Sequence, residues 1–300
     1  MEIFKGENIL DFAKEFPDDD SCKAYLAQEK WCDGFICPKC SHTKGCGKAG
    51  HKYHCYSCGN VESATANTLF HKVKFGLRKA FFIVFEMTAT TKGMSSIQIG
   101  KRYGISQTTA WFFMQKVRDT MQSSEQHLLT GRVHVDEFVV GGREDGKQGR
   151  SYDTKKKKAA IAVELTEDNK IKRAYIRFIQ DYSSKSLKPL FEKHIAKDAK
   201  VTTDGWRGYN PIAKDYDIEQ VPSNKGRNFK ELHTVIGQIK SWLRTIPSHI
   251  SKKHVQAYFN EFCYRINRSI FKESIFHKII QRMVGAAPIY QTQIIRNVTL

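Results

Sequence analysis

The pattern of apolar and polar positions changes near residue 130. Before it, residues 77–90, LRKAFFIVFEMTAT, hold too many apolar side chains for a surface loop and predict a buried helix. The segment 95–121, SSIQIGKRYGISQTTAWFFMQKVRDTM, predicts two more helices, with Ser95 or Ser96 as the first N-cap, a turn at Gly104 and a second N-cap at Ser106. Gly100 would let the two helices approach closely, and Gly104 would supply the left-handed turn residue. Beyond 130 the periodicity is that of strands. In RVHVDEFVV, 132–140, Val133, Val135 and Val139 share one face while His134, Asp136 and Phe138 share the other. Residues 159–166 and 171–179 predict a hairpin across Glu167-Asp168-Asn169, and 184–198 an amphipathic helix. VTTDGWRGYN, 201–210, predicts a short strand whose end presents Asp204 before a glycine turn. A short strand near 217–221 leads to helices at about 234–246 and 251–268.

Three strands, a helix, a strand, a helical turn, a strand and a helix follow one another in the order expected of a ribonuclease-H-like α/β domain. In that arrangement the first and fourth strands are neighbours, which brings Asp136 beside Asp204 across 68 residues of chain. Two carboxylates that close repel unless cations bridge them. Hard oxygen donors suit Mg²⁺, or Mn²⁺ in its place, and such ions support in-line attack at a phosphodiester. Glu137, on the opposite strand face, fits a supporting structural role.

Charge and cysteine content narrow the function further. Forty-nine Lys and Arg against 31 Asp and Glu leave a formal charge of +18, a field that attracts polyanions. No apolar run reaches membrane-spanning length and the start lacks a secretory pattern, so the expectation is a cytoplasmic protein, nucleoid-associated when bound to DNA. Seven of eight cysteines precede residue 60, and Cys37, Cys40, Cys55 and Cys58 form C-x2-C-x14-C-x2-C. Two such knuckles complete a tetrahedral Zn²⁺ site of structural type. Cys22, Cys32, Cys46 and Cys263 lack that spacing and fit packing roles, and His51 and His54 rank below the four cysteines as ligands.

In a basic chain, directly after a zinc ribbon, the helix pair at 95–121 fits a helix-turn-helix module. Gln107, Thr108 and Thr109 then stand at the start of its second helix, where base edges are read. Lys240 and Arg244, with Lys252, Lys253, Arg265 and Arg268, could line a DNA path, and the basic stretch 143–158 could brace the backbone. His233 and Trp242 fit either packing or DNA contact.

CPKC…CYSCG, TTAWFFMQKVRDTM, VHVDEFVVGG, TDGWRGY, HTVIGQIKSWLR and SKKHVQAYFNEFCYRINR, in that order, resemble bacterial insertion-sequence transposases of the ISXO-like group, with an N-terminal zinc ribbon and a DDE-type domain. The resemblance implies binding of terminal inverted repeats, metal-dependent strand cleavage and 3′-end transfer into double-stranded target DNA, by at least a dimer. It places the first two catalytic acids on Asp136 and Asp204 and the third position on Gln238, where the family has an acid or Asn. Gln carries an oxygen donor but no charge, so metal affinity should fall, with Glu231 or Glu261 as candidate substitutes. Glu261 is also placed to pair with Arg265 at helical spacing. The organisation implied is a helical lead at 1–30, zinc ribbon at 31–62, helix-turn-helix region at 63–125, catalytic domain at 130–270 and packing segment with a tail at 271–300. Two other readings are a nuclease or resolvase that cuts without joining, and a non-catalytic DNA-binding regulator.

Overall fold

The computed structural model describes residues 4–6, 8–90, 92–141, 156–246 and 250–296. They form two compact units: one combines the chain up to Thr120 with the segment from Ile270, the other spans Met121–Ser269. The first opens with helices α1 (Ile9–Glu15) and α2 (Asp19–Lys30), capped by the side chains of Asn8 and Asp18. Strands β1 (Gly45–Lys48), β2 (Lys52–Cys55) and β3 (Val61–Ser63) then form a small antiparallel sheet. Helices α3 (Leu77–Ala89), α4 (Ser96–Tyr103) and α5 (Gln107–Thr120) follow.

The second unit is mixed α/β. Its strands are β4 (Arg132–Val140), β5 (Lys157–Leu165), β6 (Ile171–Ile179), β7 (Lys200–Thr203) and β8 (Asp217–Gln220), in the order β6-β5-β4-β7-β8. The first three pair antiparallel, whereas β7 runs parallel to β4 and β8 parallel to β7. Helix α6 (Ser184–His194) covers one face, burying Leu187, Leu190 and Phe191 with Val133, Val135, Ala160, Ala162 and Val201. Helices α7 (Lys230–Arg244) and α8 (Val255–Ile266) cover the other, over Phe138, Ile161, Val163 and Ile176. With both faces covered, β5 is buried at nearly every position and its sequence reads as a continuous apolar run.

Several boundaries differ from the sequence expectation, the start of α8 at Val255 rather than 251 among them. Helix α6 ends at His194 rather than near 198, because residues 194–196 hydrogen bond alongside Leu129 as an extended bridge. Helix α7 starts one turn early, at Lys230, continuing a 3₁₀ segment over Asn224–Phe229. The basic stretch 143–158 lies outside the described residues up to 155.

The chain ends with α9 (Lys272–Gly285) and α10 (Gln291–Arg296), which belong to the first unit. Phe276 of α9 joins Phe4, Phe12, Phe16, Phe81 and Phe85 in an aromatic core with mostly edge-to-face contacts. Phe12 and Phe16 of the first helix and its cap, like Phe81 and Phe85 of α3, sit one helical turn apart, so each helix presents a pair. Among the described residues no helix is long and apolar enough to cross a membrane.

Candidate functional site

The four spaced cysteines converge. Sγ atoms of Cys37, Cys40, Cys55 and Cys58 all lie within 4.8 Å of one another, with Cys37–Cys58 and Cys40–Cys55 at 3.6 Å. Ligands at about 2.3 Å around a tetrahedral Zn²⁺ stand about 3.8 Å apart, so the sulfur set fits that ion. Two turns of the same form build it. The residue after each knuckle, Ser41 or Gly59, takes a left-handed φ of 59° or 68° and donates its N–H to the first cysteine's carbonyl. The first cysteine's own N–H donates to the carbonyl of His42 or Asn60. Burial opposes ionisation of Cys37, yet the Lys39 and Cys40 backbone N–H groups bring its thiol down to about 7. Trp31, Phe35 and Tyr53 supply the small core around these sulfurs.

The remaining cysteines stand apart from this cluster. Cys22 and Cys263 are buried, and burial pushes both thiols up to about 12. His51 turns its Nε2 to Asp20 at 3.1 Å, and neither His51 nor His54 is in the convergent set.

In the second unit Val135 of β4 is in register with Thr203 of β7, so the next step along both parallel strands sets Asp136 beside Asp204, on strands about 4.8 Å apart. Both side chains are half-buried. Asp136 accepts the N–H of Glu137 at 2.7 Å, and Asp204 accepts the N–H of Trp206 at 3.0 Å in an Asx-type turn. The TDGWRGY segment is built to hold that turn. Trp206 donates its indole N–H to the Tyr182 carbonyl at 2.8 Å, and Ser184 donates to the Gly208 carbonyl at 2.6 Å. A Cβ on Gly208 would lie 2.4 Å from the Trp206 ring nitrogen and 2.7 Å from the Tyr182 oxygen, so only glycine fits. Tyr209 is fully buried beneath the acids: burial, then the Glu137 charge, then Asp136 and Asp204 push its hydroxyl well above the ordinary range. Sequence reasoning missed Trp206, Gly208 and Tyr209, although a Gly-Trp-Arg-Gly-Tyr run directly after an acid carries the signal.

Helix α7 crosses this site. His233 places Nε2 3.8 Å from Asp136 Oδ2, and the Asp136 charge supports protonated Lys240 against burial and the neighbouring Arg244, which hold its pKa below the usual value. Gln238 is exposed and, five residues on from His233, lies about 140° around the helix from it. Glu231 faces His134: burial lowers that imidazole's pKa and the Glu231 charge opposes the shift. Glu261 is buried on α8 beside Arg265 at 3.9 Å, as its helical spacing suggested. Arg265 is itself mostly buried, stacked toward Trp242, which packs on Phe262. Neither Arg265 nor Trp242 therefore presents a free surface for DNA.

In the first unit, α4 and α5 meet as the glycine pattern requires. Gly104 has φ 61°, and a Cβ on Gly100 would come within 2.9 Å of the Ile105 oxygen. Ser106 caps α5 through the Thr109 N–H at 3.1 Å. Gln107 and Thr108 are exposed and Thr109 half-buried, while Gln107 also donates to Ser96 Oγ at 3.0 Å, tying the two helices.

A four-sulfur ribbon and a mixed α/β unit thus stand in one basic chain. Residues 128–267 match the ISXO2-like transposase domain, and residues 17–61 match the transposase zinc-ribbon domain. The chain thus carries an ISXO2-like transposase domain and, ahead of it, a transposase zinc-ribbon domain. It is similar to an uncharacterized protein in transposable element ISH50 of Halobacterium salinarum, 23% identical over 284 residues that cover 87% of this chain and 94% of that protein. The matched transposase domains imply DNA as the partner, and the cysteine cluster supports a structural Zn²⁺.

Proposed function

We propose that Asp136 and Asp204 form the catalytic centre of a DNA transposase that binds the terminal inverted repeats of its element, cuts to free 3′-hydroxyls and joins these to target DNA. The observation that carries this reading is the parallel pairing of β4 with β7, which sets the two acids side by side. The antiparallel β6-β5-β4 set with parallel β7 and β8 beyond it supports a ribonuclease-H-like domain.

The donor set suits Mg²⁺ or Mn²⁺: two oxygen-bearing side chains on neighbouring strands, neither sealed from solvent. A divalent cation bound there would offset the repulsion between the carboxylates and stabilise charge developing on the oxygens of a phosphodiester in displacement. The chain's own residues fix the geometry. The N–H groups of Glu137 and Trp206 orient one oxygen of each acid, and buried Tyr209 braces the sheet beneath them. Gln238, the third position by resemblance, carries an uncharged oxygen donor, but it is turned about 140° around α7 from His233, the residue beside Asp136. Lys240 and Arg244 on α7 hold phosphates, and Gln107, Thr108 and Thr109 at the start of α5 read base edges in a helix-turn-helix mode. Bringing two element ends together requires at least a dimer on DNA.

A strand-transfer assay with labelled element ends, taken from the inverted repeats bracketing the gene, tests the reading. The expected result is Mg²⁺-dependent joined product, lost in Asp136→Asn and Asp204→Asn although both variants still bind the ends. Cleavage without joining would make the protein a nuclease, and binding without either would make it a regulator.

A further inference from the structure

Beside the acidic pair lies an open cleft of about 860 Å³, lined by Ser223, Gly226, Arg227, Lys230, His233 and Thr234. We propose that this cleft seats a backbone phosphate of the DNA strand next to the one positioned at Asp136 and Asp204. The proposal rests on the reading that those acids act on a phosphodiester.

Three observations favour that ligand. The lining supplies two permanent cations, an imidazole and two hydroxyls, with no carboxylate and no apolar side chain among them, so neither a cation nor a greasy ligand suits it. Arg227 and Lys230 are exposed and pair with no acidic side chain among the described residues, which leaves their donors free for phosphate oxygens. His233 lines the cleft and also places Nε2 3.8 Å from Asp136 Oδ2, so one side chain links the cleft to that carboxylate. A strand with one phosphate at the acids would carry its next one into this space.

The cleft wall is also shaped by its sequence. Gly226 takes φ 86° and closes a turn by donating its N–H to the Ser223 carbonyl at 2.9 Å. A Cβ there would stand 3.2 Å from His233 Cδ2 and Nε2, so the absent side chain lets the imidazole lie against the turn. The turn thereby places Arg227 and Lys230 on the rim while His233 reaches Asp136.

The test uses the full zinc-loaded chain and a duplex carrying the element end, in buffer without chelator and without added Mg²⁺ or Mn²⁺ so that nothing is cut. Binding is measured across a salt series for the parent, for Arg227→Gln/Lys230→Gln, and for Lys170→Gln/Lys200→Gln, a control pair of exposed lysines at the opposite end of the same sheet. Loss of two phosphate contacts should make the slope of log Kobs against log salt shallower by about 1.8. The control pair should leave it unchanged, and thermal melts of all three proteins check that folding is intact. An unchanged slope in the cleft variant, or an equal change in the control, would overturn the proposal. Because the readout needs no chemistry, the two readings fail separately: a parent that never cuts but shows the slope change loses only the catalytic assignment, whereas one that cuts and joins with an unchanged slope loses only the cleft.

Discussion

Gln238 and a glutamate have the same reach but differ by one negative charge, and a hard divalent cation responds to charge first. Gln238→Glu is therefore expected to cleave element-end DNA at lower Mg²⁺ than the parent, read from a metal titration of cleavage. An unmoved titration would assign the third donor to another position on α7, since Gln238 lies about 140° around that helix from His233. His194 sets a different charge dependence, away from the acids. It is buried at the end of α6 and stacked on Tyr175 at 4.3 Å, with Glu125, Arg177 and Lys193 around it; burial brings its pKa from 6.5 down to about 4. Above pH 6.5 the ring is neutral folded or unfolded. Between 6.5 and 4 only the unfolded chain takes the proton, so stability falls with pH across that window by up to about 3 kcal/mol. His194→Phe keeps a stacked ring and should lose that increment, seen as a smaller drop in the urea midpoint between pH 7 and pH 5; an equal drop in parent and variant would reject it. The acids Asp136 and Asp204 were legible because a charge inside an alternating apolar strand is anomalous and because element order predicts which strands meet. His233 and Tyr209 were not, because which side of α7 or of the turn after Asp204 faces the acids depends on tertiary packing that no local period encodes.

Element periodicity explains most of the second unit, but not how an edge of its sheet is covered. Strand β6 is an edge strand, and its outward backbone groups are met by side chains of the α8 region rather than by another strand. Asn267 accepts the Ala174 N–H at 2.8 Å and donates to the Ala174 carbonyl at 2.9 Å. Gln256 accepts the Phe178 N–H at 2.8 Å and donates to the Ile176 carbonyl at 2.9 Å. Eleven residues apart, the two amides lie within about 20° of one another around a helix, so one stripe covers the edge. The sequence run SKKHVQAYFNEFCYRINR reads as an amphipathic helix, but nothing local marks Gln256 and Asn267 as substitutes for a missing strand. Asn267→Leu keeps the bulk and strands two backbone groups, at a cost of about 1–3 kcal/mol. Denaturant unfolding should show that loss, and light scattering should show association through the uncovered edge. A variant as stable and as monodisperse as the parent would mean water satisfies those groups equally well.

At the scale of the whole chain, the least legible feature is that the first unit is drawn from both ends of the sequence. The cysteine spacing and the helix-turn-helix glycines announce their modules within short windows, whereas nothing near residue 276 reveals that its partners lie at residues 4–16 and 81–85. The second unit is thus an insertion between two parts of the first, and the stability of the amino-terminal helices depends on a segment that follows that insertion. Phe276 is almost fully buried against five phenylalanines, so Phe276→Ala should cost the first unit about 3–5 kcal/mol through lost burial and an unfilled cavity. Hydrogen exchange followed by mass spectrometry separates the units. Amides of α1, α3 and α9 should lose protection in the variant, while those of β5 and α7, each inside the core of the second unit, should exchange as in the parent. Equal acceleration in β5 would show that the two units unfold as one cooperative body, and the division into an inserted α/β unit and a two-ended helical unit would have no thermodynamic meaning.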